Sequence, residues 1–549
     1  MSRVRSGLFR LAAVVIVLGL SQLVQAQQST TPTWTPLTPP GGTTTTGGPA
    51  GPSKRLLTSA AYDPATNRMI VFGGTSQDFG NITGYNDVWV LTNADGTGGT
   101  PAWIQISPAG TPPAARFGAG VGYDPYDNEL IVFGGATSFY NGSCNPIVNP
   151  GTLNDVWILT NANGVGGTPT WTQLTVSGAP PSPRRSGVVV YDSSRNRMII
   201  FGGNEACGMH NDTWVLSNAN GLETWDTPTW TRLLPPDPLP AVRGESMYSG
   251  AYDTPDNMLI LFGGQGIGVD YSDVWILTNA NGLGGAPVWT QQNPVGGPPM
   301  PRHAQFVAYD EQDNALIVIG GVNYNETQFL NDVWWLWNAD GLATSQQNWM
   351  PLTSSGTSPL PRAGYGAAYR HTTDRRVTIF GGAVCLPCVG VNDSWVFANF
   401  DAAILDPPFA TFTASDAQIN RASRSLQVEG QFTLAAGASI NPLTQPVAFG
   451  FGGFTALIPA GSFVQTGNGP FRFSGTIDGV PLDVMIKPSN GQSGQTTQSG
   501  QTSPQQQGGY AFAVEAAGVP NLPPGNPVTV YLMIGHNSGS GQVIAQPGN

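Results

Sequence analysis

The chain has 549 residues, 72 glycines, 47 prolines and a net charge of −12. Charged residues make up 10% of it, against about 25% in an average protein. This composition argues against helical bundles, coiled coils and doubly wound α/β enzymes, while the 10% aromatic content argues against disorder. The acidic balance argues against nucleic acid as a partner. We therefore expect an all-β protein with two or more domains.

The first 26 residues have the pattern of a secretory signal peptide. Arg3, Arg5 and Arg10 precede an apolar run over residues 11–20, and small residues end the segment at Ala26. That run is too short for a mature transmembrane helix. A retained N-terminal anchor is the alternative. We expect a secreted, extracellular or periplasmic monomer without a membrane span after cleavage.

Four cysteines fit an oxidising compartment. Cys385 and Cys388 are close enough in sequence to close a small loop, which leaves Cys144 and Cys207 to pair with each other. A metal site and a redox pair are alternatives for the Cys-x-x-Cys segment. We expect structural disulfides, with no bound metal and no cofactor.

A repeat of 57–68 residues fills most of the chain. Each copy has an arginine, an apolar run, Tyr-Asp or a related pair and a turn, then a second apolar run that ends in two glycines, an Asp-x-Trp and a second tryptophan. The glycine pairs begin at Gly73, Gly134, Gly202, Gly263, Gly320 and Gly381. Periodicity predicts four strands per copy, named a to d here, with the glycines ending strand b and the tryptophans on strands c and d.

Such sheets bury both faces only when they are arranged radially. We expect the Asp of Asp-x-Trp to bind backbone amides. The last copy has no strand d of its own, whereas Trp34 opens such a strand near the N-terminus. We therefore predict six blades over residues 27–400, with the Trp34 strand completing the last blade.

The glycine pairs and tryptophans resemble the kelch repeat over residues 34–397. The long copies are similar to those of exported bacterial proteins with a galactose-oxidase-like propeller. This resemblance implies a six-bladed kelch-type β-propeller, whose loop-rich face commonly binds ligands or peptides. A copper radical oxidase would need paired Tyr and His ligands and a Cys-linked Tyr, and the region after residue 400 has one histidine and no cysteine.

Residues 401–549 lack the repeat and show short alternating stretches at 426–434, 447–451, 454–458, 471–477, 482–486, 510–514 and 528–534. We expect an antiparallel β-sandwich of seven or eight strands with a flexible Gly/Gln/Ser loop at 488–508. A spacer role is favoured over independent binding.

Antiparallel order places the d-to-a and b-to-c connections on one face, called the loop face here. The start of strand a contributes a predicted ring of arginines, with His303 beside it. Such a ring suits an anionic group or a glycan, and the alternative is that the arginines cap carbonyls or pair with carboxylates. The arginines are Arg55, Arg116, Arg185, Arg243, Arg302 and Arg362. Glu205, Glu245, Asp270 and Glu326 are carboxylates of the same face.

The sequence favours an exported binding or interaction module whose partner is an unknown protein or glycan. One alternative is a carbohydrate-active enzyme of the epimerase or lyase type that uses the same face. Another is a structural exoprotein without a small ligand. No nucleophile elbow, zinc helix motif or phosphate loop is present, so we expect binding rather than catalysis.

Overall fold

The described residues form strands throughout. A computed structural model describes residues 32–37, 51–78, 81–138, 151–205, 208–224, 226–296, 298–323, 328–342, 347–352, 354–370, 375–384, 389–400, 409, 411–434, 440–445, 447–452, 454–459, 461–467, 469–477, 479–489, 509–519, 522, 526–534 and 537–548. The predicted signal peptide, all four cysteines and residues 490–508 lie outside these ranges. Within them every element is a strand, which confirms the all-β prediction, and no helix has the length and apolarity needed to cross a membrane.

The repeat region contains β1 (Thr33–Pro36), β2 (Ser59–Asp63), β3 (Arg68–Phe72), β4 (Thr75–Asp78), β5 (Asn81–Gly84), β6 (Val88–Thr92), β7 (Ala102–Ile106), β8 (Gly120–Asp124), β9 (Glu129–Ala136), β10 (Thr152–Thr160), β11 (Thr170–Gln173), β12 (Val188–Asp192), β13 (Arg197–Phe201), β14 (Thr213–Ser217), β15 (Thr229–Leu233), β16 (Gly250–Asp253), β17 (Met258–Gly266), β18 (Val269–Thr278), β19 (Val288–Gln292), β20 (Phe306–Asp310), β21 (Ala315–Asn323), β22 (Gln328–Trp337), β23 (Asn348–Leu352), β24 (Gly366–Arg370), β25 (Arg376–Phe380), β26 (Ala383–Val384), β27 (Val389–Gly390) and β28 (Ser394–Ala398).

These strands form six four-stranded antiparallel sheets, numbered in chain order. Sheet 1 is β2-β3-β6-β7, sheet 2 is β8-β9-β10-β11, sheet 3 is β12-β13-β14-β15, sheet 4 is β16-β17-β18-β19, sheet 5 is β20-β21-β22-β23, and sheet 6 is β24-β25-β28-β1. In sheet 6, β1 pairs with β28 so that Trp34 lies opposite Phe397. The N-terminal strand is therefore the fourth strand of the last sheet, as the Trp34 pattern predicts.

Beyond its first residue, each strand b is mostly apolar and buried, because neighbouring sheets cover both of its faces. In sheets 1 to 5, strands a and b are joined by a short turn that contains an asparagine with positive φ, such as Asn67 at 54°. Asparagine tolerates this left-handed conformation better than other side chains. Equivalent turn residues are Asn128, Asn196, Asn257 and Asn314.

Aromatic contacts join each sheet to the next. Phe72, at the end of strand b in sheet 1, contacts Trp171 on strand d of sheet 2, with ring centroids 5.2 Å apart. The contact repeats along the chain, and Phe380 of sheet 6 meets Trp103 of sheet 1 at 4.8 Å. The tryptophans of strand d thus fill the space between sheets, and sheet 6 packs against sheet 1. The remaining Phe–Trp pairs are Phe133–Trp230, Phe201–Trp289 and Phe262–Trp349.

The glycine pairs allow the backbones of adjacent sheets to approach. Gly73 has a φ of 65°, and a Cβ there would lie 2.6 Å from the Arg116 carbonyl oxygen of sheet 2. The amide of the following residue, Gly74, donates to that same carbonyl at 2.9 Å. The last sheet repeats the bond when Gly382 donates to the carbonyl of Arg55 in sheet 1. Glycine is needed at the first position because both the positive φ and the neighbouring carbonyl disfavour a side chain.

A circle of backbone hydrogen bonds runs through all six sheets at the start of strand a. Each sheet's amide donates to the carbonyl of the preceding sheet, and sheet 1 donates to sheet 6. The donor and acceptor pairs are Leu57–Gly364, Gly118–Leu57, Ser186–Gly118, Ser246–Ser186, Ala304–Glu245 and Gly364–Ala304, at 2.7–3.0 Å. The circle defines a central mouth on the loop face.

The C-terminal part contains β29 (Thr411–Asn420), β30 (Ser425–Thr433), β31 (Val447–Phe451), β32 (Phe454–Ile458), β33 (Val464–Gln465), β34 (Phe471–Ile477), β35 (Val480–Pro488), β36 (Gly509–Ala516), β37 (Val528–Ile534), β38 (Asn537–Val543) and β39 (Gln546–Pro547). They form a seven-stranded sheet, β33-β34-β35-β36-β30-β29-β39, and a four-stranded sheet, β32-β31-β37-β38. The two sheets share one apolar core. One ladder, β29 with β39, is parallel.

Candidate functional site at the mouth of the loop face

Every sheet contains a buried arginine–aspartate clamp. In sheet 1 the Arg55 guanidinium, just before strand a, donates to both carboxylate oxygens of Asp87 at 2.7 and 2.9 Å and to the Gly73 carbonyl at 3.0 Å. Asp87 also accepts the indole N–H of Trp89 at 2.7 Å. The aspartate therefore binds an arginine and a tryptophan rather than only backbone amides. The other clamps are Arg116–Asp155, Arg184–Asp212, Arg243–Asp273, Arg302–Asp332 and Arg362–Asp393.

The clamps correct the predicted ring of ligand-binding arginines. The clamp arginines are buried, with 0–2% of each side chain exposed. Their donors are directed at carboxylates and carbonyls of their own sheets. They brace strands a, b and c against one another and are structural groups. Of the predicted ring, this applies to Arg55, Arg116, Arg243, Arg302 and Arg362.

The aspartates are matched to this role. Burial raises the pKa of the Asp155 carboxyl, but the hydrogen bonds and charge of Arg116 outweigh it and hold that pKa below its ordinary value. The pKa of Asp332 is lowered in the same way, against its burial, by Arg302. The carboxylates therefore stay charged at neutral pH and keep their arginines in place.

In sheet 3 the clamp arginine lies one position before the arginine that the sequence predicted for the ring. The clamp arginine is Arg184, which donates to Asp212 and to the Gly202 carbonyl. The spacing of 18 residues between arginine and glycine, shared with Arg55 and Gly73, identifies it. Arg185 lies outside the clamp at the next position, where it pairs with Asn204 in an isolated β-bridge. His303 follows the clamp Arg302 of sheet 5 in the same way.

Arg185 and His303 meet two of the predicted carboxylates. Arg185 Nη1 binds Glu245 Oε1, and each of these side chains is 16% exposed. His303 Nδ1 lies 2.8 Å from Asp270 Oδ1. Asn204 Nδ2 donates to Glu245 Oε1 at 3.0 Å. We call these five residues the mouth cluster; they come from sheets 3, 4 and 5 and from the connections that precede and follow their strands.

Charges within the mouth cluster stabilise the ionised form of Glu245. Burial raises the pKa of Glu245, but the charges of Arg185 and His303 outweigh it and lower that pKa below its ordinary value. The buried Asp270 carboxylate lies 2.8 Å from His303 Nδ1, and the two form a hydrogen bond. The cluster thus combines an arginine, two carboxylates and an imidazole that is 11% exposed. This mixture of signs suits polar recognition better than metal binding, for which His and carboxylates without an arginine are the usual ligands.

The rest of the mouth is apolar. Leu56, Leu57, Phe117, Ala136 and Ala383 form one buried cluster, drawn from sheets 1, 2 and 6, against which Phe329 packs. The mouth is therefore divided into an apolar half and the polar mouth cluster. The expected sixfold symmetry of charge is absent from the described part of this face.

Next to the mouth cluster, a hairpin exposes apolar side chains at its tip. The hairpin between β17 and β18 carries Ile267, which is 81% exposed, and Val269, which is 39% exposed. Asp270, the partner of His303, follows directly on the same hairpin. Glu326 lies outside the described residues, and Glu205 pairs with His210 at 3.4 Å. Of the carboxylates predicted for this face, the structure thus brings Glu245 and Asp270 into the cluster.

Three comparisons relate the chain to known proteins. The model of the KLHDC2/KLHL20/DRC7 kelch-repeats domain matches residues 28–249. The dynein alpha chain of the flagellar outer arm from Chlamydomonas reinhardtii is 29% identical over 150 residues, which are 27% of this chain and 3% of that protein. Kelch domain-containing protein 2 from Bos taurus is 31% identical over 179 residues, which are 30% of this chain and 38% of that protein.

This chain thus matches well under half the length of either relative. A crystal structure of a protein of unknown function from Dyadobacter fermentans DSM 18053 shares 14% identity, with a TM-score of 0.40 over 63% of this chain and 95% of that one. The family match and the kelch relative agree with the repeated glycine pairs and the all-strand sheets. Both findings support a kelch-repeat protein, with the matched kelch-repeats domain at residues 28–249.

Proposed function

We propose that this protein is an exported interaction module that holds a protein partner on the loop face, over the mouth cluster and the Ile267 tip. The proposal rests on two residues at the mouth that differ from the residues at the equivalent positions of the other sheets. The position after the clamp arginine is aliphatic, aromatic or glycine in four sheets, but Arg185 and His303 in the other two. Arg185 and His303 lie outside the clamps that brace the strands, and they pair with Glu245 and Asp270 at the mouth.

We propose that the propeller has six blades and is followed by a β-sandwich formed by the two C-terminal sheets. The closed circle of six hydrogen bonds supports the blade number, because a missing or additional sheet would leave a donor and an acceptor unpaired. The contact between Phe380 and Trp103 supports closure between the last and first sheets. A rigid ring of this kind presents its loops without large rearrangement.

The chemistry of the loop face favours a protein over a small ligand. Protein interfaces combine apolar anchors with a few buried charges and a polar rim. Ile267 supplies an exposed apolar anchor, and the partly exposed Arg185 and Glu245 supply charge beside it. The cavity near Arg185, between sheets 2 and 3, has a volume of about 10 Å³, which is too small for a sugar.

Site-specific photocrosslinking would test this function. A benzophenone amino acid at Ile267 is expected to capture a discrete partner in the producing cells or their medium, and capture should fall at least tenfold with Arg185→Ala. The matched control is the same probe at Tyr126, which is 79% exposed on the opposite face. Equal capture at both positions, or none at Ile267, would contradict the proposal. N-terminal sequencing of the mature protein would test export, with a start at Gln27 expected.

A second candidate is a carbohydrate-active lyase or epimerase, which the His303–Asp270 pair favours. A histidine held by a carboxylate at Nδ1 can accept a proton at Nε2. If it acts on acidic glycans, polyuronides should give unsaturated or epimerised products that are lost with His303→Gln. Retention of turnover in that variant, or its absence in the wild type, would eliminate this candidate.

A further inference from the structure

The face opposite the loop face, called the turn face here, joins neighbouring sheets through side chains. The aspartate that ends strand a of one sheet accepts an asparagine Nδ2 from the c-to-d loop of the next sheet. Asp63 accepts from Asn163 at 2.7 Å, and Asp124 accepts from Asn220 at 2.9 Å. The same bond joins Asp192 and Asn281 at 2.8 Å. A neutral amide thus donates a hydrogen bond to each of these buried carboxylates.

At two further interfaces one of the two partners is an arginine. Between sheets 6 and 1, the strand-a residue is Arg370 and the loop residue is Asp95, and the two form an ion pair. At sheet 5, Arg375 binds both Asp310 and Asp313. At the interface of sheets 6 and 1 the strand-a residue is the cation and the loop residue is the anion. At each of these five interfaces the buried carboxylate therefore faces a hydrogen-bond donor or a cation.

The interface between sheets 4 and 5 breaks this rule. Asp253 ends strand a of sheet 4, and the loop residue of sheet 5 is Asp340, where three other loops have asparagine. Asp256 from the same turn joins them, and one carboxylate oxygen from each of the three lies within 4.8 Å of the others. Asp253 is 1% exposed and Asp340 is also buried. Two acidic side chains are therefore buried against each other.

One carboxylate oxygen within this group lacks a donor at normal hydrogen-bond distance. Asp253 Oδ2 is buried and makes no hydrogen bond of normal length among the described residues, although an interaction with the Tyr309 hydroxyl lowers the pKa of its carboxyl. By contrast, Oδ2 of Asp124 and Asp192 accepts the asparagine at their interfaces. No described arginine or lysine forms an ion pair with any of the three aspartates. Buried carboxylates that are unpaired and adjacent are strongly destabilising unless something neutralises them.

We propose that Asp253, Asp256 and Asp340 bind one Ca²⁺ ion that bridges sheets 4 and 5. A set of carboxylate oxygens selects a hard cation, and Ca²⁺ accepts irregular geometry and water ligands, whereas Mg²⁺ demands a near-ideal octahedron. Asp256 is exposed and gives the ion a route from solvent. The ion takes the place of the asparagine amide found at the other interfaces and completes the tie between the two sheets.

A bound cation is one of two ways to neutralise these carboxyl groups. Burial, with the nearby charge of Asp256, raises the pKa of the Asp253 carboxyl to about 6. A shared proton is the competing way to neutralise the group, and the test must separate the two.

The test uses the full-length protein after chelation and dialysis, with CaCl₂ as the probe at pH 7.5. Calorimetric titration is expected to show one Ca²⁺ per chain, and a hundredfold excess over Kd should raise Tm by about 5 °C. Asp340→Asn restores the asparagine of the other interfaces, so it should fold, show a higher metal-free Tm than the wild type, and lose the Ca²⁺ response. Asp416→Asn, an exposed change in β29, should leave the response unchanged.

Three outcomes would overturn the proposal. A Ca²⁺ response that persists in Asp340→Asn places the ion elsewhere. A wild type that does not respond to Ca²⁺, while Asp340→Asn is stabilised, means that a proton neutralises the group. A response to MgCl₂ of equal size to that with CaCl₂ shows that the site is not built for Ca²⁺.

Discussion

The loop face and the turn face hold neighbouring sheets together in different ways. On the loop face backbone hydrogen bonds join every pair of neighbouring sheets, with side-chain pairs added between sheets 3, 4 and 5, and the arginine–aspartate clamps stay within one sheet. On the turn face the ties are side chains, and they change from asparagine to arginine and to aspartate around the ring. Backbone ties do not depend on side-chain identity. The residues beside the clamps can therefore vary for recognition, whereas each change on the turn face needs a compensating partner.

The largest loss of stability is expected when the clamp arginine of sheet 3 is removed. The neighbouring Arg185, which lies outside the clamp, provides the comparison. Arg184→Ala leaves Asp212 buried without its cation, and we expect a loss of about 3–5 kcal/mol in the free energy of unfolding. Arg185→Ala, one residue away, removes only a partly exposed pair and should cost about 1 kcal/mol. Denaturant unfolding of both variants measures the difference. Similar losses in the two would show that the clamp assignment in sheet 3 is wrong.

A smaller effect, dependent on pH, is expected from Glu129 on the turn face. This residue begins strand b of sheet 2, where Arg68 and Arg197 of sheets 1 and 3 donate to the next sheet's loop carbonyl. Glu129 Oε2 is buried without a partner, and burial, with the charges of Asp127 and Asp124, raises its pKa to about 7.

Because the folded-state pKa exceeds the unfolded value of 4.5, Glu129 contributes its full stability below pH 4.5 and loses it as the pH rises through 7. Glu129→Gln should therefore raise the unfolding free energy by about 1–2 kcal/mol at pH 8 and change it little at pH 4.5. Thermal melts at the two pH values check this. An equal change at both would mean that the carboxylate is not the cause.

The smallest effect concerns a bond across the ring. The Tyr248 hydroxyl of sheet 4 donates to the Thr58 carbonyl at 3.0 Å and accepts the Ala60 amide at 2.7 Å, and both belong to sheet 1. Tyr248→Phe should cost about 1 kcal/mol. It should also reduce hydrogen-exchange protection of the Ala60 amide, while the Val71 amide in strand b keeps its protection. Unchanged exchange at Ala60 would show that this contact is not formed in solution.

The repeat predicted the sheets and the position of β1 because glycine pairs and tryptophans mark backbone approach and apolar packing, which are local requirements. The clamp was harder to predict, since the sequence shows that an arginine recurs but not which group it faces. In sheet 3 the neighbouring Arg184 and Arg185 made the choice ambiguous, and the 18-residue spacing to the glycine would have resolved it. In the mouth cluster, Arg185 and Glu245 are 60 positions apart in the chain, and Asp270 and His303 are 33 positions apart. Only the ring of sheets brings these residues into contact.

In the C-terminal part, too, the sequence predicted the strands that have an apolar face but not the polar ones. The bounds of β31, β32, β34 and β37 match their alternating stretches, because one face of each is apolar. Strands β29 and β38 have polar sequences, Thr411–Asn420 and Asn537–Val543, and hydrophobic periodicity does not reveal them. The described residues after residue 400 therefore form eleven strands rather than the expected seven or eight.

The position of β1 has a consequence for biosynthesis. Its partner β28 lies about 360 residues later in the chain, so at ordinary translation rates about 20–70 s pass between their syntheses. Until β28 emerges, the earliest strand has no partner and the ring is an open arc. During that interval the first strand of one nascent chain is available to the last sheet of another. Closure of the ring therefore comes only after the last sheet has been made.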